Sequence, residues 1–309
     1  MYISVVIPLY NKEGTIYRAM NSVIQQLTDD VELIVVDDGS TDGSRTIAES
    51  LQQAHPAHHI RVHAQTNGGV SAARNAGIDL AKGSLVAFLD ADDTYDEHFL
   101  AEIKLLTRRF PDAAVFSTSY RFCDSVWGDV RVANISCLAD PASPQILPDF
   151  FRSAAAGDLP VTSSSVCINK EVLIAMGGFP EQENMGEDQA VWSQLALQYN
   201  IAFSPRVCAT YYEAAANSLM QSVSPIGEMP FSQRLQQQLE QGVVPAQLRT
   251  SLKRYIAIHL FDLVRRNLLA GNRANARQLL SDPRTKRDIK RWFYWQLRMA
   301  LHSARISAP

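Results

Sequence analysis

Two aspartates, Asp90 and Asp92, follow directly after the apolar run of residues 85–89. A strand over that run would deliver both carboxylates rigidly at its carboxyl end. Hard oxygen ligands of this kind bind Mg²⁺ or Mn²⁺, usually through one or two carboxylates, while substrate phosphates complete the coordination. This D-x-D pair therefore indicates a divalent cation, Mn²⁺ or Mg²⁺, as cofactor.

A second acidic pair, Asp37 and Asp38, follows the apolar run of residues 31–36. From Asp38 to Glu49 the spacing also matches a calcium-binding EF-hand loop. An EF-hand loop is entered from a helix, whereas the β-branched residues before Asp38 favour a strand. We therefore interpret the EF-hand match as accidental.

The elements that must position these aspartates alternate in type along the first third of the chain. Strands are predicted over residues 3–9, 31–36, 60–64 and 85–89. Helices are predicted over residues 16–27, from a cap at Ser40 or Thr41 to residue 51, and over residues 72–81. Apolar strands separated by helices indicate an α/β fold with a mostly parallel central sheet flanked by helices.

Polar residues follow all four predicted strands, and ligands of such sheets bind beyond the carboxyl ends of the strands. Any one of these loops is interpreted best as a solvent turn, because Asp, Asn, Gly and Ser favour turns for conformational reasons. Four polar loops at one edge of a sheet favour a binding rim instead.

The rest of the chain divides at about residue 225. Before it, strands are predicted over residues 113–116 and 165–168, with an irregular stretch up to residue 160 between them, then a turn at Gly177 and Gly178 and a helix after Glu187. After it, apolar residues recur at helical spacing, as at Leu252, Ile256 and Leu260, which predicts a mainly α-helical region.

Charge is distributed unevenly between these parts. Residues 1–230 hold 14 basic and 28 acidic residues, and residues 231–309 hold 15 basic and 4 acidic ones. The basic part suits a phosphate-bearing surface. Lys286, Arg287, Lys290 and Arg291 precede the aromatic residues 292–295, a composition that suits an anionic membrane interface. The alternative is a solvated basic face on helices that pack onto the rest of the chain.

The cysteines and the N-terminus indicate the compartment. The four cysteines have no zinc-site spacing and are interpreted as buried thiols of a reducing compartment. The first residues lack a basic segment, and their apolar run breaks at Pro8, so neither a signal peptide nor a membrane span is predicted. We expect a cytoplasmic location, with peripheral contact at the inner face of the membrane.

Six motifs occur in order between Val5 and about Ser218: VVIPLYN, VVDDGSTD, NGGVSAARNAG, FLDADD, GGF and GED. Together they resemble a non-processive family 2 glycosyltransferase of the GT-A fold. The resemblance implies a catalytic domain over residues 1–225, with a nucleotide-sugar donor half of about 1–112 and an acceptor half of about 113–225. A basic helical region over residues 226–309 would follow it.

The resemblance also implies an activity, the inverting transfer of one sugar to an acceptor hydroxyl. The donor would be a nucleoside-diphosphate sugar, first a UDP-sugar and then a dTDP- or GDP-sugar. The acceptor would be an oligosaccharide or a lipid-linked glycan of bacterial type. No nucleic acid partner is expected, and a homo-oligomer stays open.

Individual residues take roles from the same resemblance. Asp188 matches the general base, supported by Glu187 and Gly178, and Asp92 matches the metal ligand together with Asp90. The donor-nucleotide positions are Pro8, Tyr10, Asn11, Asp38, Asn67, Arg74 and Asp90.

Each of these side chains also has a plainer interpretation. Tyr10 alone would be a surface aromatic, Arg74 would pair with an acidic neighbour, and Asp188 would cap the helix that follows it.

One departure from the family pattern concerns the stretch after the helix that follows Glu187. Relatives carry an Arg and a His there, whereas this chain has the run YEAAANS from Tyr212 to Ser218. Their absence leaves the completeness of the metal shell open and keeps a non-catalytic sugar-nucleotide-binding scaffold as one alternative. A nucleotidyltransferase is the other alternative, because it also uses metal-bound carboxylates near an α/β rim. A dinucleotide-binding dehydrogenase is disfavoured because no G-x-G-x-x-G follows the first strand.

Overall fold

Four parallel strands form one half of the central sheet in the computed structural model, which describes residues 2–124, 128–183, 185–213 and 227–306. They are β1 (Ile3–Leu9), β2 (Val31–Asp37), β3 (Ile60–Ala64) and β4 (Leu85–Phe88). β1 pairs with β2 and β4, and β2 pairs with β3. The strands predicted from the apolar runs are confirmed to within one residue at each end.

The other half of the sheet is mixed. It contains β5 (Thr94–Tyr95), β6 (Val115–Asp124), β7 (Val130–Val132), β8 (Gln145–Ile146), β9 (Val166–Asn169) and β10 (Ile201–Glu213). The main order is β3-β2-β1-β4-β9-β6-β10-β5, with β7 on β6 and β8 on β10. Because β9 is antiparallel to both β4 and β6, those two strands run in the same direction, and their carboxyl ends share one edge.

Eleven α-helices lie in the described parts of the chain. The first seven are α1 (Ile16–Ile24), α2 (Ser44–Ala54), α3 (Val70–Leu80), α4 (Phe99–Arg109), α5 (Phe150–Ala156), α6 (Lys170–Ala175) and α7 (Glu187–Gln198). The C-terminal four are α8 (Pro230–Glu240), α9 (Arg249–Leu269), α10 (Arg273–Ser281) and α11 (Ile289–Ile306). Within these parts, no helix combines the length and the apolarity needed to cross a bilayer.

Several predicted boundaries are wrong, and tertiary contacts explain the largest errors. α2 begins at Ser44 and not after a cap at Ser40 or Thr41, because the Ser40 hydroxyl accepts a hydrogen bond from the Asn11 backbone instead. The stretch predicted as irregular up to residue 160 contains most of β6, together with β7, β8 and α5. Within β6, Ser117, Thr118 and Ser119 are buried, and the Ser117 hydroxyl donates to the Pro160 carbonyl at 2.9 Å.

Smaller corrections concern helix ends and the cysteines. α1 ends at Ile24, three residues early, and α3 begins at Val70, two residues early. The expectation of buried thiols holds for Cys167 and Cys208, whereas Cys137 is exposed.

The sheet separates two hydrophobic cores, and the C-terminal helices complete one of them. Val5 and Ile7 face one core, and Val6 faces the other, as expected for successive residues of a strand. The Val6 core also contains Trp192 of α7 and Leu260 of α9. The division of the chain into two regions at residue 225 remains a prediction. In the structure, the helices after residue 225 share a hydrophobic core with the sheet.

Candidate active site

The loops after β1 and β2 are held together at the carboxyl edge of the sheet. Asn11 has a left-handed backbone (φ 50°), its N–H donates to the Ser40 Oγ at 3.1 Å, and its Oδ1 accepts from the Thr41 N–H at 2.8 Å. Pro8 lies buried within β1, whereas Tyr10 is 47% exposed just beyond it. This arrangement presents an aromatic ring to solvent on a fixed loop.

Asp38 holds the neighbouring loop in place. Its Oδ1 accepts hydrogen bonds from the Gln65 side chain and the Gly68 N–H, and its Oδ2 accepts from the Gly69 N–H, all at 2.8 Å. Asn67 is exposed at the tip of the loop. Since Asp38 follows a strand and binds backbone N–H groups, the EF-hand match is accidental, as the sequence predicts.

Arg74 connects three elements at the centre of the rim. From α3, its Nη2 donates to Asp90 Oδ1 at 2.9 Å and its Nη1 donates to Glu187 Oε1 at 3.0 Å. The guanidinium also lies 5.1 Å from the centre of the Phe179 ring. Burial lowers the pKa of Arg74, but the negative charges of Asp90 and Glu187 raise it by a larger amount. The net shift of the pKa is therefore upward. Arg74 therefore pairs with acidic neighbours, as its plainer interpretation expects.

Asp92 is surrounded by positive charge. Its Oδ2 lies 2.7 Å from Lys12 Nζ, and its carbonyl accepts from Arg18 Nη2 at 2.7 Å. Arg18 also stacks on Tyr212, with 3.5 Å between its guanidinium carbon and the ring centre. These cations offset the negative charge of the D-x-D turn.

Asp93, beside them, is almost fully buried. Its carboxylate accepts from the Ser164 hydroxyl at 2.5 Å and from the Tyr212 N–H at 3.1 Å. Burial raises the pKa of Asp93 well above its ordinary value, and the charges of Asp90 and Asp92 raise it further. Asp93 thus fixes β10 against the D-x-D turn.

The donor set of the D-x-D turn fits a divalent cation. Asp90 and Asp92 offer hard carboxylate oxygens from one turn, and Mg²⁺ and Mn²⁺ commonly take one or two carboxylates plus phosphate oxygens. In the described residues, no group of three or more His, Cys, Asp or Glu forms a complete protein-only ligand set. Phosphate oxygens of a ligand and water would complete the coordination of a cation there.

Asp188 lies in the first turn of α7, next to the rim. The cap of this helix is Gly186, which has a left-handed backbone (φ 78°), so the interpretation of Asp188 as the capping residue is wrong. Its Oδ1 accepts from the Gln189 N–H at 2.6 Å. Burial raises the pKa of Asp188 to about 7, and the Glu187 charge adds to this while Arg74 opposes it. A half-buried carboxylate of this kind suits proton transfer near neutral pH.

Gly178 allows the chain to pass close to α3. Its φ is 70°, and a Cβ there would lie 2.5 Å from Asn75 Oδ1. Asn75 donates from Nδ2 to the Phe179 carbonyl at 2.9 Å and accepts from the Phe179 N–H at 2.8 Å. This clamp fixes the segment that leads to α7.

The structure adds residues that sequence reasoning missed, namely Lys12, Arg18, Asn75, Asp93 and Tyr255. Lys12 and Asp92 are 80 positions apart, so no local spacing reveals the pair. The one sequence signal for these basic residues is the excess of acidic residues at the predicted rim, because clustered carboxylates need nearby cations. Tyr255 of α9 donates to Gln189 Oε1 at 2.9 Å and connects the C-terminal helices to α7.

The predicted site residues lie on the loops and helix ends of this edge. The bridge of Arg74 joins Asp90 to Glu187, and Asp188 follows directly. Asp38, Asn11 and Tyr10 lie on the neighbouring loops of β1 and β2. In the run YEAAANS only Tyr212 and Glu213 are described, and residues 214–218 lie outside the described residues.

The model of Glycosyl transferase family 2 matches residues 4–159, slightly more than half of the 309 residues. An uncharacterized glycosyltransferase of Nostoc sp. is 47% identical over 103 residues, 33% of this chain and 32% of that protein. Glycosyltransferase GlyA of Streptococcus pneumoniae is 35% identical over 124 residues, 40% of this chain and 17% of that protein. In these alignments the chain spans a third or less of each relative's length.

Two solved structures resemble the whole chain. S. aureus TarS, residues 1–349, solved in complex with UDP-GlcNAc, has a TM-score of 0.67 at 18% identity, covering 98% of this chain and 81% of that one. A mannosyltransferase of Pyrobaculum calidifontis, in complex with GDP-Man and Mn²⁺, has a TM-score of 0.61 at 20% identity, covering 98% and 85%. At these identities the likeness concerns the fold alone, and it confirms the predicted α/β fold of the GT-A type.

Proposed function

Because the chain belongs to glycosyl transferase family 2, we propose that it is an inverting glycosyltransferase that moves one sugar from a nucleoside-diphosphate sugar to an acceptor hydroxyl. The observation that carries the proposal is the Arg74 bridge between Asp90 and Glu187, the residue next to Asp188. It connects Asp90, a carboxylate suited to a divalent cation, with Glu187, the residue next to the carboxylate suited to an acceptor proton.

The donor side of the proposed site is the edge formed by the loops after β1 to β4. Tyr10 is exposed on a fixed loop, and an aromatic face of this kind stacks on a nucleotide base. Asp38 holds the loop that carries Asn67, and Asn11 joins the first two loops. A UDP-sugar is the proposed donor, and the UDP-GlcNAc of TarS and the GDP-Man of the Pyrobaculum protein support a nucleotide sugar in this fold.

A divalent cation, Mn²⁺ or Mg²⁺, is the proposed cofactor, held by Asp92 and Asp90. When bound there, it would neutralise the negative charge of the departing diphosphate. Lys12 lies at the same carboxylate and adds positive charge on the donor side. Arg74 keeps Asp90 oriented from its buried side.

Asp188 is the proposed general base. It takes the proton from the acceptor hydroxyl as that oxygen attacks the anomeric carbon, and the bond from that carbon to the diphosphate breaks. A base with a pKa of about 7 holds and releases protons near neutral pH, which suits this role. The proposed acceptor is a hydroxyl of an oligosaccharide or a lipid-linked glycan.

The general base is tested by Asp188→Asn. We expect donor affinity to be retained and the transfer rate to fall by about a hundredfold or more, since general-base catalysis contributes roughly that much. Product formation and donor binding are measured separately, over a panel of nucleotide sugars and acceptors. A parallel loss of donor affinity would assign Asp188 to binding, and an unchanged transfer rate would refute its assignment as the general base.

The cofactor is tested by Asp92→Ala, with Asp79→Ala as control because Asp79 is an exposed aspartate on α3. The thermal stabilisation that UDP gives in the presence of Mn²⁺ should shrink greatly in Asp92→Ala and persist in the control. An equal response to Mn²⁺ in both variants would refute the metal assignment. UDP binding without turnover on any acceptor would favour a non-catalytic scaffold.

A further inference from the structure

A basic cleft of about 700 Å³ opens between α5, α9 and the start of α11, apart from the strand ends of the proposed active site. We define the basic cleft by the five cations that line it, Arg152, Lys253, Arg254, Arg287 and Lys290. In the described residues, none of these five forms an ion pair, whereas Arg265, Arg266 and Arg284 of the same region all do. The cations of the basic cleft are therefore not neutralised by direct ion pairs within the described residues.

The two aspartates that line the basic cleft interact with the backbone of their own helices and with Arg291. Asp149 caps α5 by accepting a hydrogen bond from the Arg152 backbone at 3.0 Å. Asp288 accepts from the Arg291 backbone at 3.1 Å and lies 3.6 Å from the Arg291 side chain. Five positive charges against two negative ones favour an anionic ligand.

An apolar stripe on α11 continues from the basic cleft. It consists of Ile289, Phe293 and Leu297, spaced four residues apart and 52%, 62% and 61% exposed. Ile289 itself lines the basic cleft, so the two features form one continuous surface. Large apolar side chains repeated on one exposed helix face indicate a surface that contacts another apolar phase.

The structure also corrects the aromatic cluster expected from the sequence. Trp292 and Trp295 pack against the core of the C-terminal helices, and the Trp292 indole donates to the Leu280 carbonyl at 3.0 Å. Phe293 and Tyr294 point outward instead. The outward face of α11 thus has its own apolar residues, separate from those that attach the helix to the protein.

We infer that the basic cleft and the apolar stripe dock onto an anionic lipid bilayer, with lipid phosphates in the cleft and the stripe in the interface. Charge complementarity selects this occupant, because unpaired cations directly flank exposed apolar side chains. A bilayer surface of anionic lipids satisfies both features at once. α11 lacks the apolarity to cross a membrane, so it would lie parallel to the surface.

The test is co-sedimentation of the full chain with vesicles of equal parts phosphatidylglycerol and phosphatidylcholine, and with vesicles of phosphatidylcholine alone. We expect binding to the anionic vesicles only, weakening as salt is raised. Lys253→Gln with Arg254→Gln should weaken binding about 25-fold, since each basic residue near an anionic surface contributes roughly fivefold. Arg108→Gln with Arg109→Gln removes the same charge from exposed residues of α4 and should have little effect.

The apolar stripe has its own matched pair. Phe293→Ser with Leu297→Ser should reduce vesicle binding, whereas Ile174→Ser with Val243→Ser, two equally exposed positions elsewhere, should not. All four positions are exposed, so circular dichroism should show a retained fold for both pairs. The readout needs no sugar transfer, so its failure leaves the proposed function standing.

Three outcomes would overturn the inference. One is the absence of binding to anionic vesicles at low salt. Another is vesicle binding that persists in both the cleft and the stripe variants. The third is binding to anionic vesicles that free inorganic phosphate abolishes at constant ionic strength, which would make the basic cleft a site for a soluble phosphate compound. The remaining candidate occupant is a second copy of the chain. Light scattering would identify it if the stripe variants change the molecular mass in solution and the protein does not bind vesicles.

Discussion

At the scale of single residues, the site is a set of charges that hold one another in place. Arg74 is buried between Asp90 and Glu187, while Lys12 lies at Asp92 on the more open side. Opposite charges at these distances stabilise each other strongly in a low-dielectric interior. Glu187 and Asp90 also raise the pKa of Asp188, and Arg74 lowers it, so these three residues affect both the structure and the proposed chemistry.

The raised pKa of Asp188 predicts how activity depends on pH. A general base acts as the carboxylate, so kcat/KM should fall as pH drops below about 7, the pKa that burial and Glu187 give Asp188. Glu187→Gln removes one cause of the raised pKa and should move this acidic limb to lower pH. Glu171→Gln, at an exposed carboxylate of α6, should leave it in place. If the acidic limb of the kcat/KM profile does not move in Glu187→Gln, a group other than Asp188 is responsible for it.

Replacement of Arg74 should destabilise the fold. Arg74→Gln leaves Asp90 and Glu187 without their buried partner, and breaking a buried ion pair costs about 3 kcal/mol or more. Arg45→Gln is the matched control, since Arg45 forms an exposed pair with Glu49 and its loss should barely move the urea transition. Equal shifts in the two variants would mean that the Arg74 bridge contributes no stability.

At the scale of elements, a few turns decide where functional helices begin. α7 begins after Gly186, where a Cβ would lie 2.9 Å from the Phe231 ring of α8. The segment before it is clamped by Asn75 at Phe179. The orientation of Asp188 therefore depends on contacts with α3 on one side and with the C-terminal helices on the other.

The two neighbouring glycines of the GGF motif allow this clamp to be measured. Both have positive φ, 83° at Gly177 and 70° at Gly178, but only a Cβ at Gly178 would meet Asn75. Gly177→Ala should cost roughly 1–2 kcal/mol through backbone strain alone. Gly178→Ala should cost about 1 kcal/mol more, because the Asn75 hydrogen bonds are disturbed. Urea unfolding of both variants measures the difference, and no excess at Gly178 would contradict the clamp.

At the scale of the whole molecule, the C-terminal helices and the central sheet share a core. Leu260 of α9 belongs to the same buried cluster as Val6 of β1, Phe88 of β4 and Trp192 of α7. Tyr255 adds a hydrogen bond to α7 at the proposed site. A region that looks separate in composition is therefore part of the structure that supports the proposed active site.

This shared core predicts one unfolding transition for the chain. Leu260→Ala should lower the free energy of unfolding by about 2–5 kcal/mol, as expected for a cavity in a buried cluster. Leu269→Ala, on the same helix but 73% exposed, should have almost no effect. Tryptophan fluorescence and circular dichroism should report coincident transitions in both variants. Two separate transitions would show that residues 226–309 fold independently.

The sequence by itself determined the sheet half that carries the D-x-D turn. Apolar runs fixed β1 to β4 almost to the residue, because strands buried on both faces need continuous hydrophobicity. The order of six motifs determined the family. Both signals are local or ordered along the chain, so one sequence is enough to read them.

Only the tertiary structure decided which distant residues meet. Arg74 and Glu187 are 113 positions apart, and Lys12 and Asp92 are 80 apart, so no periodicity connects them. The same applies to Ser117 of β6, whose hydroxyl donates to the distant Pro160 carbonyl. It also applies to Trp292 and Trp295, which pack into the core of the C-terminal helices, while Phe293 is exposed. Composition records which residues are apolar or charged, but packing determines which of them face one another.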